Sequence, residues 1–429
     1  MNYQQSLDYL YSLTRTGIKL GLDNTSNLLA YFDHPQLKIR TVHVAGTNGK
    51  GSTSAFMESI LRKSGYRTGL YTSPHLLDFR ERIQTDRHWI SKKAFRDLVS
   101  RIKTAANELE IDPTFFEFGT TMAFLYFYEQ KVDWSIIETG LGGRLDSTNL
   151  CHADIAIITS ISIDHTQFLG NDLLKITTEK AGIIKTNSAV VTGIKDEGLF
   201  QIIQEKSFRE NAPVHQLGKE FRVDLKNISN HKLKFDYFGM GHRLQDLETS
   251  LIGKHQAFNA SLAVTACLLL NSRGCKITDS AIRQGLLTTR WDGRIEIAQK
   301  SPIMVLDCAH NPESVRILTA TLREYFTYKR SYVVLGVMKD KAIDEIIEII
   351  DDFADHIILV KPQQERSADP EILLSKLAKS QKVVEIIEEI PYALGTIGDI
   401  CNPDDIICVT GSIYTVAEAK KSIESKGIT

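Results

Sequence analysis

Short β-branched runs ending in Gly, Ser or Asp alternate with longer stretches of helical periodicity along most of the chain. Parallel strands need a crossover between them, usually a helix, so this alternation predicts an α/β fold with parallel sheets. Strands are expected at Thr41–Ala45, Trp134–Glu138, Ile155–Thr159 and Ala189–Thr192. Near Phe221–Phe238 polar and apolar residues alternate one by one, which predicts an antiparallel hairpin instead. Helices follow at about His255–Leu270 and Asp279–Leu287. After the polar stretch Thr288–Gly293 the strand-helix rhythm restarts at Ile303–Asp307, Tyr332–Val337, His356–Val360 and Ile406–Thr410. A chain of 429 residues, 42% of them hydrophobic, can bury two cores. The expected domains are 1–290 and a smaller 291–429.

Charge narrows the partners. The 51 basic and 53 acidic side chains are interleaved and leave a formal net charge of −2, so no patch marks a nucleic-acid or anionic-membrane surface. The longest apolar run, Leu262–Leu270, is too short for a bilayer, and MNYQQSLDYLYSL lacks the basic and apolar regions of an export signal. Cys151, Cys267, Cys275, Cys308, Cys401 and Cys408 are scattered, as reduced thiols are. A cytoplasmic protein acting on small molecules is expected.

The segment Val42-His-Val-Ala-Gly-Thr-Asn-Gly-Lys-Gly-Ser52 reads as a strand, a glycine-rich turn and a helix start over Thr53–Arg62. Glycines allow backbone N–H groups to converge on phosphate oxygens, the helix N-terminus favours an anion, and Lys50 supplies a positive charge. The general GxxxxGK(S/T) pattern is not met, since Val44 replaces its first glycine and Gly51 separates Lys50 from Ser52. A tight turn with a solvated lysine is the plainer alternative, and the strand-before, helix-after context favours phosphate binding.

Glu138 ends an apolar strand, a position from which a carboxylate can hold magnesium in nucleotide-loop proteins. The glycines of Thr139-Gly-Leu-Gly-Gly-Arg144 imply close approach to the backbone there. Asp164 and His165 follow the next strand, although magnesium's preference for oxygen argues against the histidine. Glu179–Lys185 reads as a helix end with solvated lysines. In the second domain Arg294 stands where a guanidinium could clamp a phosphate, and His310 and Asn311 precede a helix that Pro312 can open, with Asn311 as its cap.

These residues together resemble the folylpolyglutamate synthase and dihydrofolate synthase family within the Mur ligases. The marks are GTNGKGS at 46–52, TSPHL at 72–76 with Glu81-Arg82-Ile83, ETGLGGRLDSTN at 138–149, DHTQFLG at 164–170, EKAGIIK at 179–185, HQAFNA at 255–260 and DCAHNP at 307–312. The resemblance implies a three-layer nucleotide-loop domain followed by a smaller Rossmann-like glutamate-ligase domain, with ATP in the cleft between them. It implies that Thr47, Asn48, Gly49, Lys50, Gly51, Ser52, Asn259, Arg294 and Asp307 bind ATP. Ser73, Glu138 and His165 would hold Mg2+. Lys180, carbamylated in the family, and His310 would act with Lys50 in catalysis. Folate would lie near Gly21, Leu22, Asp23, Thr114, Phe115, Phe116, Glu117 and Asp146. Asp292 and Cys308 depart from the family's usual Pro and Gly, which affects backbone shape more than chemistry.

The implied reaction is ATP-dependent addition of L-glutamate to folate, and to dihydropteroate, through an acyl phosphate, by a monomer. Ile18-Lys-Leu-Gly-Leu-Asp23 resembles the stretch of members that accept dihydropteroate. A cell-wall Mur ligase is the nearest rival, but about 45 residues before the loop are few for its nucleotide-sugar domain. A nucleotide-switch module that hydrolyses ATP without ligating is the rival from another class.

Overall fold

The computed structural model describes residues 1–17, 19–229 and 232–425. The chain divides into two compact units. The first comprises 1–226, 234–250 and 256–289, and the second 227–233, 251–255 and 290–429.

The first unit is built on an eight-stranded sheet of β1 (Arg40–Ala45), β2 (Thr68–Tyr71), β3 (Ile83–Thr85), β4 (His88–Trp89), β5 (Trp134–Glu138), β6 (Ala153–Ile158), β7 (Ala189–Thr192) and β8 (Val214–Gln216). Their spatial order is β4-β3-β2-β5-β1-β6-β7-β8. Every pairing from β2 to β8 is parallel, while β3 and β4 continue the edge antiparallel. The central strands are buried throughout, which is why they read as unbroken apolar runs instead of alternating ones. The β6 expectation at Ile155–Thr159 shifts to Ala153–Ile158, and β2 was not anticipated. Its Gly69 breaks the β-branched pattern because the Phe127 ring leaves no room for a Cβ there.

The helix Lys50–Lys63 is buried continuously from Gly51 to Leu61. It can be so deeply covered because helix Asp279–Thr288 approaches at Gly285, where an added Cβ would fall 2.6 Å from Ile60 Cα, and Ser59 Oγ donates to Gly285 O at 2.9 Å. On the same unit, Phe118, Met122, Phe124 and Phe127 of helix Phe115–Glu129 join Phe95, Leu98 and Ile102 of helix Lys92–Glu108 in one apolar core. The expected hairpin is a three-stranded sheet of β9 (Phe221–Ser229), β10 (Lys232–Gly239) and β11 (His242–Glu248). The expected helix at His255–Leu270 runs Lys254–Ser272.

The second unit carries a six-stranded sheet of β12 (Glu296–Lys300), β13 (Ile303–Leu306), β14 (Ser331–Leu335), β15 (His356–Leu359), β16 (Val383–Ile386) and β17 (Ile406–Thr410), in the order β12-β13-β17-β14-β15-β16. All pairings but the first are parallel. The two edge strands, β12 and β16, escaped the sequence reading because they are only partly buried and mix polar with apolar residues. Helix Ile343–Phe353 lays Ile346, Ile347 and Ile350 inward at helical spacing.

Candidate active site

Because β2, β5, β1 and β6 run parallel, their carboxyl ends face one edge of the sheet, where ligands of open α/β sheets bind. The turn after β1 is laced to the end of β6. Thr47 N donates to Ser160 O at 2.8 Å, Asn48 N donates to Ser160 Oγ at 2.9 Å, and Thr159 Oγ1 donates to Asn48 O at 2.7 Å. Thr47 Oγ1 donates to Ser162 O at 3.1 Å and accepts from Ser162 N at 3.0 Å. Thr159, Ser160 and Ser162 thus shape the loop, a role the sequence reading did not assign, signalled only by three hydroxyls directly after a strand. Gly46 leaves no space for a Cβ beside the Thr159 hydroxyl. Gly49, at φ +86°, precedes the helix without any side-chain cap, and an added Cβ would lie 2.5 Å from Asn259 Oδ1. The first-turn N–H groups thus have no side-chain acceptor from the cap position, an arrangement suited to a phosphate. The helix begins at Lys50, three residues before the expected Thr53, so Lys50, Gly51 and Ser52 of the glycine loop lie in its first turn.

Lys50 Nζ folds back to donate to Gly46 O at 3.1 Å and Thr47 O at 3.0 Å. Lys180 Nζ donates to the same Gly46 O at 2.8 Å. The expectation of a solvated Lys180 is corrected: its residue is 4% exposed. Burial first, then the nearby Lys50 charge, pulls its ammonium down to about 7, against a smaller opposing pull from Asp164 and Asp146.

Glu138, also 4% exposed, closes β5 and accepts from Ser73 N at 3.2 Å in the turn after β2. His165 stands at φ +53° before a four-residue helix, with its side chain 43% exposed and Asp164 Oδ2 4.0 Å from its Nε2. A carboxylate and a hydroxyl are hard oxygen donors, and magnesium commonly takes one or two carboxylates with water and phosphate filling the rest. The Glu138 carboxylate and the Ser73 hydroxyl therefore suit Mg2+, whereas His165 is a nitrogen donor outside that preference, and no group of three or more His, Cys, Asp and Glu able to hold a metal occurs among the described residues.

Two family patterns cover most of this architecture: the Mur ligase middle domain over residues 44–267 and the Mur ligase glutamate ligase domain over 293–413. Dihydrofolate synthase/folylpolyglutamate synthase of Bacillus subtilis is 36% identical, matching 98% of this chain and 99% of its own length. The chain belongs to the dihydrofolate synthase/folylpolyglutamate synthase family. The solved structure of E.coli FolC in complex with DHPP and ADP superposes with a TM-score of 0.91 at 30% identity, over 100% of this chain and 99% of that one. Mycobacterium tuberculosis folylpolyglutamate synthase complexed with ADP and AMPPCP gives a TM-score of 0.91 at 29% identity, over 98% of each chain.

In this synthase-family chain the segments expected to hold folate are neighbours. Gly21 and Leu22 lead into helix Asp23–Tyr31, whose exposed Asp23 is followed by Asn24, and Asn24 Nδ2 reaches Glu117 Oε2 at 3.3 Å. Ile18 lies outside the described residues. Thr114 and Glu117 form a reciprocal capping box at the start of helix Phe115–Glu129, with Thr114 N donating to Glu117 Oε2 at 2.6 Å. Their side chains are therefore already engaged in holding the helix start. Phe115 stacks on Tyr11 with centroids 5.9 Å apart and carries the Arg82 guanidinium 5.0 Å from its ring centre. Tyr11 OH also meets His75 Nε2 at 3.3 Å, and Arg82 Nε donates to His75 Nδ1 at 2.8 Å, an aromatic and basic cluster missed from the sequence. Phe116 fills the space that a Cβ of Gly140 would need. Gly143 in turn packs on Glu179 O, so these glycines of the 139–149 loop approach other parts of the chain itself. Asp146, buried, accepts from Leu141 N at 2.7 Å and Thr148 N at 3.0 Å.

In the second unit Asp307 is buried and accepts from Ile295 N and Ala309 N, each at 2.8 Å. Burial raises its carboxyl, and the Arg294 guanidinium is the largest influence lowering it. His310 Nδ1 lies 2.9 Å from Cys308 O, and Asn311 caps helix Pro312–Tyr325 through Ser314 N at 2.9 Å. The two unusual residues have local partners: Asp292 pairs with Lys420 at 2.7 Å, and Cys308 Sγ packs where Gly293 lacks a Cβ.

Proposed function

We infer that this chain is an ATP- and magnesium-dependent ligase that adds L-glutamate to folate, and to dihydropteroate, through an acyl phosphate. The observation that carries this reading is the Gly46–Ser52 loop at the end of the central strand, in a chain that matches the family over nearly its whole length. Residues 1–290 are taken as the ATP-binding domain and 291–429 as the glutamate-ligase domain.

A carboxylate resists attack by an amine because its leaving group would be oxide. Transfer of the γ-phosphoryl group of ATP to the folate carboxylate replaces oxide with phosphate, and the glutamate amine then displaces that phosphate to form the amide. Thr47, Asn48, Gly49, Gly51 and Ser52 offer backbone and hydroxyl donors to the phosphates, and Lys50 leaves the Gly46 and Thr47 carbonyls to meet the transferring group. Asn259, against Gly49, and Arg294 with Asp307 in the second unit are assigned to the nucleotide as well. Glu138, with Ser73 and His165, would hold magnesium, whose charge offsets that of the phosphates. Lys180 as a carbamate would give this region an anionic oxygen pair. Phe115 and Phe116 offer flat apolar faces to a pterin, with Gly21, Leu22, Asp23, Thr114, Glu117 and Asp146 around them, and His310 is placed with the incoming glutamate.

No helix of the described residues is long and apolar enough to cross a membrane. A monomer in the cytoplasm, acting on small molecules, is the setting proposed. The test supplies ATP, magnesium and labelled glutamate with either dihydropteroate or tetrahydrofolate. Labelled amide and glutamate-dependent phosphate release with both acceptors are expected. Phosphate release indifferent to glutamate would support a nucleotide switch instead, and extension of tetrahydrofolate alone would remove the dihydrofolate synthase activity.

A further inference from the structure

Four buried side chains of the first unit form a row from the central strand to Asp146. His43, in the middle of β1 and 0% exposed, places Nε2 2.8 Å from Thr148 Oγ1. That hydroxyl stands 2.5 Å from Asp146 Oδ1, and on the far side of the imidazole Cys151 Sγ lies 3.7 Å from Nδ1.

The protons of this row follow from its acceptor end. Burial raises the Asp146 carboxyl, and the Leu141 N–H, the Thr148 hydroxyl and N–H and the Gly140 N–H oppose it; as a carboxylate it takes the Thr148 N–H on Oδ1 and the Leu141 N–H on Oδ2, and the single Thr148 hydroxyl proton then points to Oδ1. The Thr148 oxygen is then left to accept, which places a hydrogen on His43 Nε2. Nδ1 keeps its lone pair and receives the thiol hydrogen of Cys151. Burial, with a smaller push from the Lys185 charge, holds the imidazole neutral at about 3, and burial raises the thiol to about 12. Neither group changes charge near neutral pH, and the row is a fixed support.

We propose that His43, too deeply buried to touch a ligand, is a positioning residue for folate: through Thr148 it fixes the direction in which Asp146 presents its carboxylate. Asp146 belongs to a loop packed by Gly140 on the Phe116 ring, so a turn of its carboxylate changes the pterin side of the site. The proposal rests on the folate-site reading of Asp146 given above.

The experiment measures KM for dihydropteroate and for ATP in Thr148→Val, Thr148→Ser, His43→Leu, His43→Gln and Asp146→Asn. Thr148→Val and His43→Leu are expected to raise KM for dihydropteroate about tenfold or more, the scale of one hydrogen bond to a charged group, with KM for ATP within about twofold. Ser keeps the hydroxyl, and the Gln amide nitrogen can reach the position of Nε2, so both are expected to restore binding. The double variant His43→Leu/Thr148→Val is expected to be no worse than either single one, because both break the same row. Thr148→Val is nearly isosteric and keeps the test available where His43→Leu fails to fold. Equal rises in both KM values, or His43→Gln behaving as His43→Leu, would overturn the proposal. An unchanged dihydropteroate KM in Asp146→Asn removes the folate-site reading itself, whereas a rise there with an unaffected Thr148→Val removes only the role of the row.

Discussion

Lys50 and Lys180 donate to one backbone oxygen, that of Gly46, at 3.1 and 2.8 Å. Two ammonium groups on one carbonyl repel, and the buried partner yields: Lys180 is drawn down to about 7, by burial first and by Lys50 second. The half-buried Lys50 belongs to the loop and Lys180 to the helix Leu173–Ala181. Gly46 O therefore joins a phosphate-directed cation to an amine that is partly neutral at physiological pH.

Lys50→Ala is expected to abolish ligation with the fold retained. Losing one preorganised charge at a transferring phosphoryl group costs about 3 kcal/mol or more of transition-state stabilisation, over a hundredfold in kcat. The measurement is turnover at saturating ATP together with the circular dichroism spectrum; near-normal turnover would refute the loop's role. The same variant removes a neighbouring positive charge, so the Lys180 amine should titrate at higher pH than in the parent.

Gly49→Ala addresses the loop's shape. A side chain at φ +86° costs about 1–2 kcal/mol, and its Cβ must also push Asn259 Oδ1 from 2.5 Å to a normal contact. A fall in Tm of several degrees with a raised KM for ATP is expected. A thermal melt and ATP titration matching those of the parent would show that neither the turn nor Asn259 is tightly constrained.

The parts legible in the sequence were those with local causes. The β5 run Trp134–Glu138 is buried along its length and reads as a strand ending in an acid, and Asn311-Pro312 announces a capped helix start. What stayed hidden depends on distant partners. Nothing in Glu179–Lys185 says that Lys180 reaches a carbonyl 134 positions earlier, so a solvated helix end was the natural reading. Thr114-Phe-Phe-Glu117 did carry the spacing of a capping box, a structural role that sits beside its proposed place in the folate site. Strand β2 was lost because Gly69 answers to the Phe127 ring and not to strand propensity.

Asp307→Asn tests the second unit. Asp307 holds the N–H of Ile295, a β-branched residue at φ +48°, next to Arg294. An amide offers one acceptor oxygen where the carboxylate offers two, so either Ile295 N or Ala309 N loses its acceptor in the buried site. A loss of about 1–3 kcal/mol of stability is expected, read as a lower denaturant midpoint. An unchanged midpoint would mean that another acceptor takes over the orphaned N–H.

Lys180 is expected to carry a carbamate in the working enzyme. Its neutral amine attacks carbon dioxide, an N–C bond forms, the nitrogen gives up a proton to water, and an –NH–COO⁻ group replaces the ammonium, offering oxygens that suit magnesium. Only the neutral amine reacts, and with a value of about 7 instead of 10.5 that form is abundant at neutral pH. The unmodified protein has a pH signature of opposite origin to an ordinary ion pair. Between about 7 and 10.5 the unfolded lysine binds a proton that the folded one does not, so stability rises with pH across that window; below about 7 both are protonated and the buried charge exerts its full cost. Bicarbonate should raise Tm and activity of the stripped parent and do neither for Lys180→Ala, which should be nearly inactive and partly rescued by acetate filling the vacated space. A fully active Lys180→Ala, or a bare amine at full occupancy in a high-resolution map with magnesium and nucleotide bound, would sink the carbamate.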